Sequence, residues 1–407
     1  MNMLFKENGG LAFFLGNYNI YNAFNSLKRK LNNRKYSSFL FKSKNSAVIR
    51  SNIEIMSFSK KSKYKNSMLK VYDYIYHEKL KNIKRKGNIE NIGDYILIFN
   101  NRNRTFVSIK EEKKLKGKIR MLKILYQVLS TKLAKTRKFF YSISKSKNKK
   151  KYIYKYNIIK NYIRKGIVIQ CQIGKENIIR SNMESLRLLK LCKRNDIGSN
   201  IYISYLRELI ICFTPEVLVT IENSYAYMYP IAGTIKRGIS LILDKIYERK
   251  MLNDKKELSE HIMLIDIARN DLNSISKINT VVVKKKFLIR KFFYVQHIVS
   301  EIKSHIKKVN QKKVLKRISP SGTLTGSPKI KSMEIIKELE NNRGNYGGCI
   351  GFDSIKKHIG MFFVTIRAAF KKGNYLIIKS ASGIVNKSKI KMEYRELNNK
   401  MKVFLKK

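Results

Sequence analysis

Apolar residues recur along this chain at two spacings, and each spacing predicts its own kind of element. Short runs that alternate or are continuously apolar, rich in β-branched and aromatic side chains, predict strands at Ile92–Phe99 (IGDYILIF), Thr105–Ile109, Ile167–Ile173, Leu209–Phe213, Val217–Ile221, Met361–Ala369 and Tyr375–Ser380. A spacing of three to four predicts helices at Tyr152–Gly166, Ser181–Lys190, Glu257–Asp271, Phe292–Val309, Lys329–Glu340 and Ile390–Phe404. On the Lys329–Glu340 segment the apolar stripe is Ile330, Met333, Ile336 and Leu339. Strands and helices in this irregular order, with no GxGxxG or P-loop, predict a large α+β fold and not a Rossmann sheet. Residues 1–135 form a weakly specified N-terminal region, 136–165 a basic linker (Lys145–Lys151, KSKNKKK) and first core helix, and 166–407 the core.

Composition narrows the function. A chain of 407 residues with 43% hydrophobic content can bury a large core. Its formal charge of +59 would ordinarily suggest a polyanion partner. The basic residues are mostly Lys, however, spread along the whole chain with abundant Asn, Ile, Tyr and Phe, only 4 Pro and no Trp. That pattern fits mutational drift toward A/T-rich codons better than a selected nucleic-acid surface. A basic nucleic-acid-binding protein is the rival reading from outside the enzymes, and no familiar nucleic-acid motif supports it. The positive field favours anionic small molecules or an acidic partner.

The four cysteines, Cys171, Cys192, Cys212 and Cys349, stand alone without zinc-type spacing. A reducing compartment, the cytoplasm, is expected. The N-terminal MNMLFKENGGLAFFLGN is too glycine-broken to read as a signal peptide, and no run approaches the ~18 apolar residues of a membrane span.

Two features carry chemistry. Gly322, Thr323, Thr325, Gly326, Ser327 and Pro328 make a hydroxyl-rich turn feeding a helix N-terminus, a place suited to an anion. Glu257 and Glu260 lie three apart on one predicted helix, and Glu393 and Glu396 three apart on another, which puts each pair on one face. Carboxylates from two helices, completed by water and an anionic ligand, suit magnesium better than zinc.

The segments NDKKELSEHIMLIDIARNDL (Asn253–Leu272), YVQHIVS (Tyr294–Ser300), SGTLTGSPK, NYGGCIGF (Asn345–Phe352), TIRAA (Thr365–Ala369) and EYRELNNK (Glu393–Lys400) resemble, in order, the chorismate-utilising enzymes. Within these the chain is most similar to the large-subunit branch of the anthranilate synthases. The resemblance runs from about Gly166 to Leu405 and fades upstream. It implies a mixed two-sheet sandwich flanked by helices, with chorismate and magnesium as ligands.

The matching positions imply Glu260 and Glu396 as direct metal ligands, with Glu257 and Glu393 binding directly or from one layer out. Glu216, in TPE where the family has SPE, would be the general acid toward the departing C4 hydroxyl, a task that requires burial to raise its pKa. Arg367 and Tyr346 match residues that hold the enolpyruvyl carboxylate, and Lys400 would face the ring carboxylate. His297 matches a histidine lining the ring near C4. Gly233 and Thr234, in PIAGT, would contact the substrate, and Gly383 would offer its backbone N–H to a carboxylate.

Two positions bear on the nucleophile. Relatives that add water carry a Lys base where this chain has Gln170, and aminodeoxychorismate synthases of the covalent type carry a Lys in place of Ala232. Together they favour direct attack by ammonia, with aminodeoxychorismate synthase the nearest rival among enzymes. The chain shows no amidotransferase nucleophile, so a glutamine amidotransferase subunit is the expected ammonia source.

The match weakens in three places. The loop after PIAGT reads IKRG and looks shortened; a family glycine is Ala381 here, an added methyl expected to impair substrate binding. The tryptophan regulatory motifs are altered, to LFKS (Leu40–Ser43) with Lys42 for Glu and Ser43 kept, and to NDIGSNIY (Asn195–Tyr202) without prolines. Weak or absent tryptophan inhibition is therefore expected.

Overall fold

The computed structural model describes the strands of the first 143 residues by their backbone, and beyond them residues 148–181, 199–205, 208–291, 295–307, 311–340, 343–354, 359–401 and 404. Two sheets organise these residues. The thirteen-stranded sheet runs in the order Met3–Glu7, Gly10–Phe14, Arg104–Ile109, Tyr95–Asn100, Ile53–Lys60, Tyr36–Ser43, Ser199–Tyr205, Glu208–Thr214, Ala368–Lys372, Tyr375–Ile384, Gln170–Ser181 and Gly326–Ser327, with Tyr141–Ile143 also on Gln170–Ser181. The nine-stranded sheet runs Ile231–Lys236, Val295–His305, Tyr225–Met228, Val217–Glu222, Ile359–Val364, Cys349–Ser354, Leu69–Tyr72 and Ile89–Asn91, with Val282–Lys291 also on Val295–His305. Every pairing among the described strands is antiparallel, so the mixture in this α+β fold lies between sheets and helices. Strand pairing also crosses residue 135, since Tyr36–Ser43 pairs with Ser199–Tyr205 and Leu69–Tyr72 with Cys349–Ser354.

One apolar cluster joins the sheets. Leu218, Val219, Ile302, Phe362 and Val364 of the smaller sheet pack with Ile265 and Leu272 of the Lys255–Asn273 helix and with Ala381 of the larger sheet. A second cluster lies on the outer side, where Tyr152 and Ile159 of the Asn148–Arg164 helix, Ile335 and Ile336 of the Lys329–Leu339 helix and Leu397 of the Ile390–Met401 helix cover Cys171, Ile173 and Ile384. At roughly 1.5–3 kcal/mol per fully buried side chain, these clusters fix the helices on the sheets. Among the described residues, no helix is long and apolar enough to cross a membrane.

The structure corrects several sequence expectations. The segment Phe292–Val309 is a strand, Val295–His305, and not a helix. Its Ile298, Val299, Ile302 and Ile306 fit a helical stripe, but Gln296, Ile298, Ser300, Ile302, Ser304 and Ile306 are all buried, an alternation that only the additional burial of Val299 interrupts. Half of those are polar residues, which hid the period of two. The expected Met361–Ala369 strand is two strands, Ile359–Val364 and Ala368–Lys372, broken at Arg367. Residues 148–151 of the expected linker already belong to the Asn148–Arg164 helix. The Ile167–Ile173 strand starts at Gln170 and continues to Ser181; the remainder of the expected Ser181–Lys190 helix lies outside the described residues.

Candidate active site

Glu216 lies in the tight connection by which the chain leaves the larger sheet at Thr214 and enters the smaller at Val217. Thr323 Oγ1 donates to Glu216 Oε1 at 2.5 Å. Burial pushes the Glu216 pKa above the ordinary carboxylate value, while Thr323 and the charge of Lys400 oppose it. Thr323 itself is set by the Ser321 side chain, which accepts from its N–H at 3.3 Å, and by Gln172, whose Nε2 donates to its carbonyl at 2.7 Å. Gly322 permits the turn to close on the neighbouring helix: a Cβ there would come 2.2 Å from Ile267 Cγ2.

Arg367 stands at a left-handed φ of +48°, a strained backbone that breaks its strand. Burial lowers its pKa, opposed by Tyr346 and Glu396 nearby. Tyr346 is itself buried, which raises its pKa, and it hydrogen-bonds the Ala381 backbone. His297 Nδ1 lies 2.7 Å from the Gly233 carbonyl and 3.2 Å from Thr234 Oγ1. A carbonyl only accepts, so Nδ1 carries the hydrogen and the neutral ring keeps a lone pair on Nε2. Burial pulls the His297 pKa down, the Gly233 bond opposes this, and the Arg367 charge adds to it. The neutral form is favoured.

Gly233 has φ +61°, and a Cβ on it would meet Met251 Sδ at 3.1 Å and Glu257 Oε2 at 3.3 Å. Ala232 precedes it in the same strand and pairs with Ile298. Lys400 Nζ donates to the Ala381 carbonyl at 2.9 Å and pairs with Glu396 at 2.7 Å. Glu257, Gly233, His297, Arg367, Tyr346, Glu396, Lys400, Glu216 and Thr323 thus form one connected series of neighbours drawn from both sheets. Gln170 and Gly383 join it through Gln172, which pairs with Gly383.

The carboxylate pairs sit on helices from opposite sheets. The Lys255–Asn273 helix packs on Ile231–Lys236 and Val295–His305, and the Ile390–Met401 helix on Tyr375–Ile384. Burial raises the Glu257 pKa and the Glu260 charge raises it further; Glu393 is raised by burial and by Glu396, with Ser388 donating to it at 2.9 Å. In each pair one carboxylate, Glu257 or Glu393, has its proton affinity raised by burial and by its neighbour, and paired hard oxygen donors of this kind fit a divalent cation in chemical type. Among the described residues, no group of three or more His, Cys, Asp or Glu side chains stands close enough together to hold a metal, so the structure brings each pair together but not the two pairs.

The family model of the chorismate binding enzyme matches residues 51–406. The chain belongs to this family. Its curated relatives include the anthranilate synthase component 1 of Acetivibrio thermocellus, 36% identical over 61% of this chain and 50% of that protein. That of Thermococcus kodakarensis is 34% identical over 61% and 57%. The chain therefore spans about half the length of the curated relatives it matches. The crystal structure of anthranilate synthase component I from Streptococcus pneumoniae superposes with a TM-score of 0.71 at 22% identity, covering 89% of this chain and 91% of that one. The menaquinone-specific isochorismate synthase from Escherichia coli gives 0.74 at 14% identity, covering 98% and 94%. These structures establish the two-sheet fold of the chorismate binding enzymes for this chain.

Within that fold, several departures from the family pattern acquire a physical reading. Ala381 belongs to the apolar cluster between the sheets, 4% exposed; its carbonyl accepts from Lys400, and its backbone hydrogen-bonds Tyr346. In the IKRG loop, Arg237 pairs through Nε with both Asp244 oxygens, at 3.1 and 2.9 Å, and Gly238 N donates to Asp244 at 2.6 Å, which holds the Asp244 pKa down at about 2. Ser43 ends its strand opposite Ser199, and Lys42 opposite Asn200, so LFKS and the described part of NDIGSNIY are neighbouring strands; residues 195–198 and all side chains here lie outside the described residues. Cys171 and Cys349 are buried thiols with pKa values pushed up to about 12, and Cys212 is raised further; Cys192 lies outside the described residues.

Sequence reasoning missed Thr323 as the partner of Glu216, Gln172 beside Gln170, and the buried pairs Lys329–Asp271 (2.8 Å) and Arg343–Glu340 (2.8 Å) that brace the Ser321–Tyr346 region. For Gln172 a signal existed. It stands two residues after Gln170 in a strand, hence on the same face.

Proposed function

We propose that this chain converts chorismate and ammonia to anthranilate, pyruvate and water, as the component 1 subunit of an anthranilate synthase in tryptophan biosynthesis. The observation that carries the reading is the partly exposed Glu216, its pKa raised by desolvation, grouped with Arg367, Lys400 and Tyr346. Chorismate is a dicarboxylate with a hydroxyl to be expelled. It calls for two cationic partners and one carboxyl with raised proton affinity, and this group has both. Arg367 and Tyr346 hold the enolpyruvyl carboxylate, Lys400 with Gly383 receives the ring carboxylate, and Gly233 and Thr234 border the ring. Glu216 gives its proton to the C4 hydroxyl, which leaves as water while ammonia bonds to C2. Loss of the C2 proton and of the side chain as pyruvate then aromatises the ring. His297, neutral and held through Nδ1, lines the ring without adding charge.

The choice of ammonia rests on Gln170 and Ala232. An amide cannot act as a base toward water, and a methyl group cannot attack the ring. The names of the curated relatives agree with this choice. Magnesium, held by Glu260 and Glu396 with Glu257 and Glu393, would supply charge to the ring carboxylate. The buried high-pKa thiols support a glutaminase on a separate amidotransferase subunit and a reducing, cytoplasmic setting.

The test is incubation of the purified chain with chorismate, magnesium and ammonium chloride. Fluorescent anthranilate and an equal amount of pyruvate are expected, and the formation of both should slow in Glu260→Ala and Glu396→Ala. Product that retains its enolpyruvyl side chain would make it an aminodeoxychorismate synthase instead, and undiminished turnover in both variants would remove the metal assignment.

A further inference from the structure

A cavity of about 240 Å³ lies between the Asn148–Arg164 helix, residues 174–176 of the Gln170–Ser181 strand and the end of the Lys329–Leu339 helix. Its most enclosed wall is an ion pair. The Arg343 side chain, 2% exposed, donates to Glu340 through Nε at 2.8 Å and Nη2 at 2.9 Å, and to the Leu324 and Gln172 carbonyls at 2.7 and 3.1 Å. Glu340 also accepts from the Gly174 N–H at 2.6 Å, and a Cβ on Gly174 would come 2.8 Å from Glu340 Oε2, so only a glycine admits the carboxylate there.

Around this pair the cavity is lined by Lys151, Lys155, Lys175 and Lys379. Lys379 pairs with Glu176 at 3.4 Å. Lys175 meets only uncharged acceptors, the Tyr394 hydroxyl at 3.0 Å and the Asn398 amide oxygen at 2.9 Å. Lys151 and Lys155 have no ion-pair partner among the described residues. Three of the five cations of the lining are thus left without a carboxylate. Compositional drift accounts for a lysine on open surface, but Lys155, Lys175 and Lys379 are half-buried around a hollow, Lys379 with 16% of its side chain exposed. A concavity lined by one sign of charge focuses the field and concentrates the opposite ion.

The chemistry of the free donors selects the anion. Glu340 already occupies the planar edge of Arg343, so no bidentate seat for a carboxylate remains. What remains are ammonium groups, point charges carried on separate elements, which suit the several oxygens of a tetrahedral phosphate. At roughly 30 Å³ per water, the cavity has room for a diphosphate. We propose that this cavity binds a small phosphate-bearing anion beside the substrate group. Arg367 and Lys400, the cations of that group, lie outside its lining, whereas Tyr346 belongs to both. The Tyr346 N–H donates to the Arg343 carbonyl at 3.1 Å, and Lys379 donates to the same oxygen at 3.3 Å, so the anion would sit against the contacts that place Tyr346.

Isothermal titration of the full chain with pyrophosphate tests this, without magnesium and in about 0.15 M salt to screen the general attraction of a basic protein. One saturable site per chain is expected. Lys155→Gln should raise its Kd on the order of tenfold, the equivalent of one charge-assisted hydrogen bond, and Lys155→Arg should stay within about threefold of wild type. Lys250→Gln removes the same charge from exposed surface elsewhere and should stay within about twofold. Lys151→Gln reports the same loss if Lys155→Gln does not fold. No saturable site, an unchanged Kd in the cavity variants, an equal loss in Lys250→Gln, or tighter binding of malonate than of pyrophosphate would each overturn the proposal.

Discussion

The two helices bearing the paired carboxylates look alike in sequence and differ in what their charges touch. Each carries glutamates three apart and a lysine one turn from the second: Lys256 before Glu260 at 3.5 Å, Lys400 after Glu396 at 2.7 Å. On Lys255–Asn273 the lysine is 70% exposed, and an ion pair of that kind contributes about 0–1 kcal/mol. On Ile390–Met401 the lysine turns inward to the Ala381 carbonyl and acts on Glu216. The same local spacing yields a surface pair on one helix and a link in the site on the other. Which it becomes depends on the sheet beneath. The anchoring differs as well. Lys255–Asn273 is held by the buried Asp271–Lys329 pair, whereas Ile390–Met401 is held by Leu397 and Met401 and by Lys175, which donates to Tyr394 and Asn398 at 3.0 and 2.9 Å.

The largest effect is expected where the inward network ends. Glu216→Gln keeps the shape and removes the transferable proton, so turnover should fall by about 10²–10⁴-fold in steady-state assays with little change in chorismate KM. A loss below tenfold would detach the acid from the network.

Next comes the anchoring contrast, read by urea denaturation. Asp271→Ala leaves Lys329 buried without its partner and should cost about 3–5 kcal/mol. Lys175→Met should cost only about 1 kcal/mol. Equal losses would erase the distinction between the two anchors.

Then the two metal-side glutamates can be separated by substrate affinity. Glu396→Ala frees Lys400 and alters the surroundings of Arg367, so the chorismate KM should rise about tenfold, whereas Glu260→Ala should lower turnover with a smaller rise in KM. Steady-state kinetics with chorismate read this directly, and matching KM shifts would show the helices to be equivalent after all.

The smallest effect is a displacement in pH. The acid works protonated, and burial holds its pKa above the ordinary value, so activity per unit of free ammonia should decline as pH rises through that raised pKa. The Lys400 charge lowers the Glu216 pKa, and Lys400→Met should therefore shift the decline to higher pH. A shift to lower pH would refute the coupling.

Much of this site was legible because its residues lie in long ordered motifs: Glu216, His297, Arg367, Tyr346 and Lys400 were named from sequence and stand as neighbours. What stayed hidden has identifiable physical causes. The Val295–His305 strand hides behind buried Ser300, Ser304 and Gln296, whose polarity masks an alternating period. The break at Arg367 is a left-handed backbone in a β-prone run, an exception that local preference argues against. Thr323 and Gln172 do their work through contacts across 107 and 151 residues of sequence, beyond the reach of any local pattern. Their roles come from the fold itself.

Several of these contacts end on main-chain oxygen. Lys400 meets the carbonyl of Ala381, His297 that of Gly233, and Gln172 that of Thr323. A codon can exchange a side chain, yet it cannot delete a peptide group. In a chain whose composition reads as steered toward lysine, asparagine and isoleucine, recognition vested in the backbone is the portion that substitution pressure leaves intact.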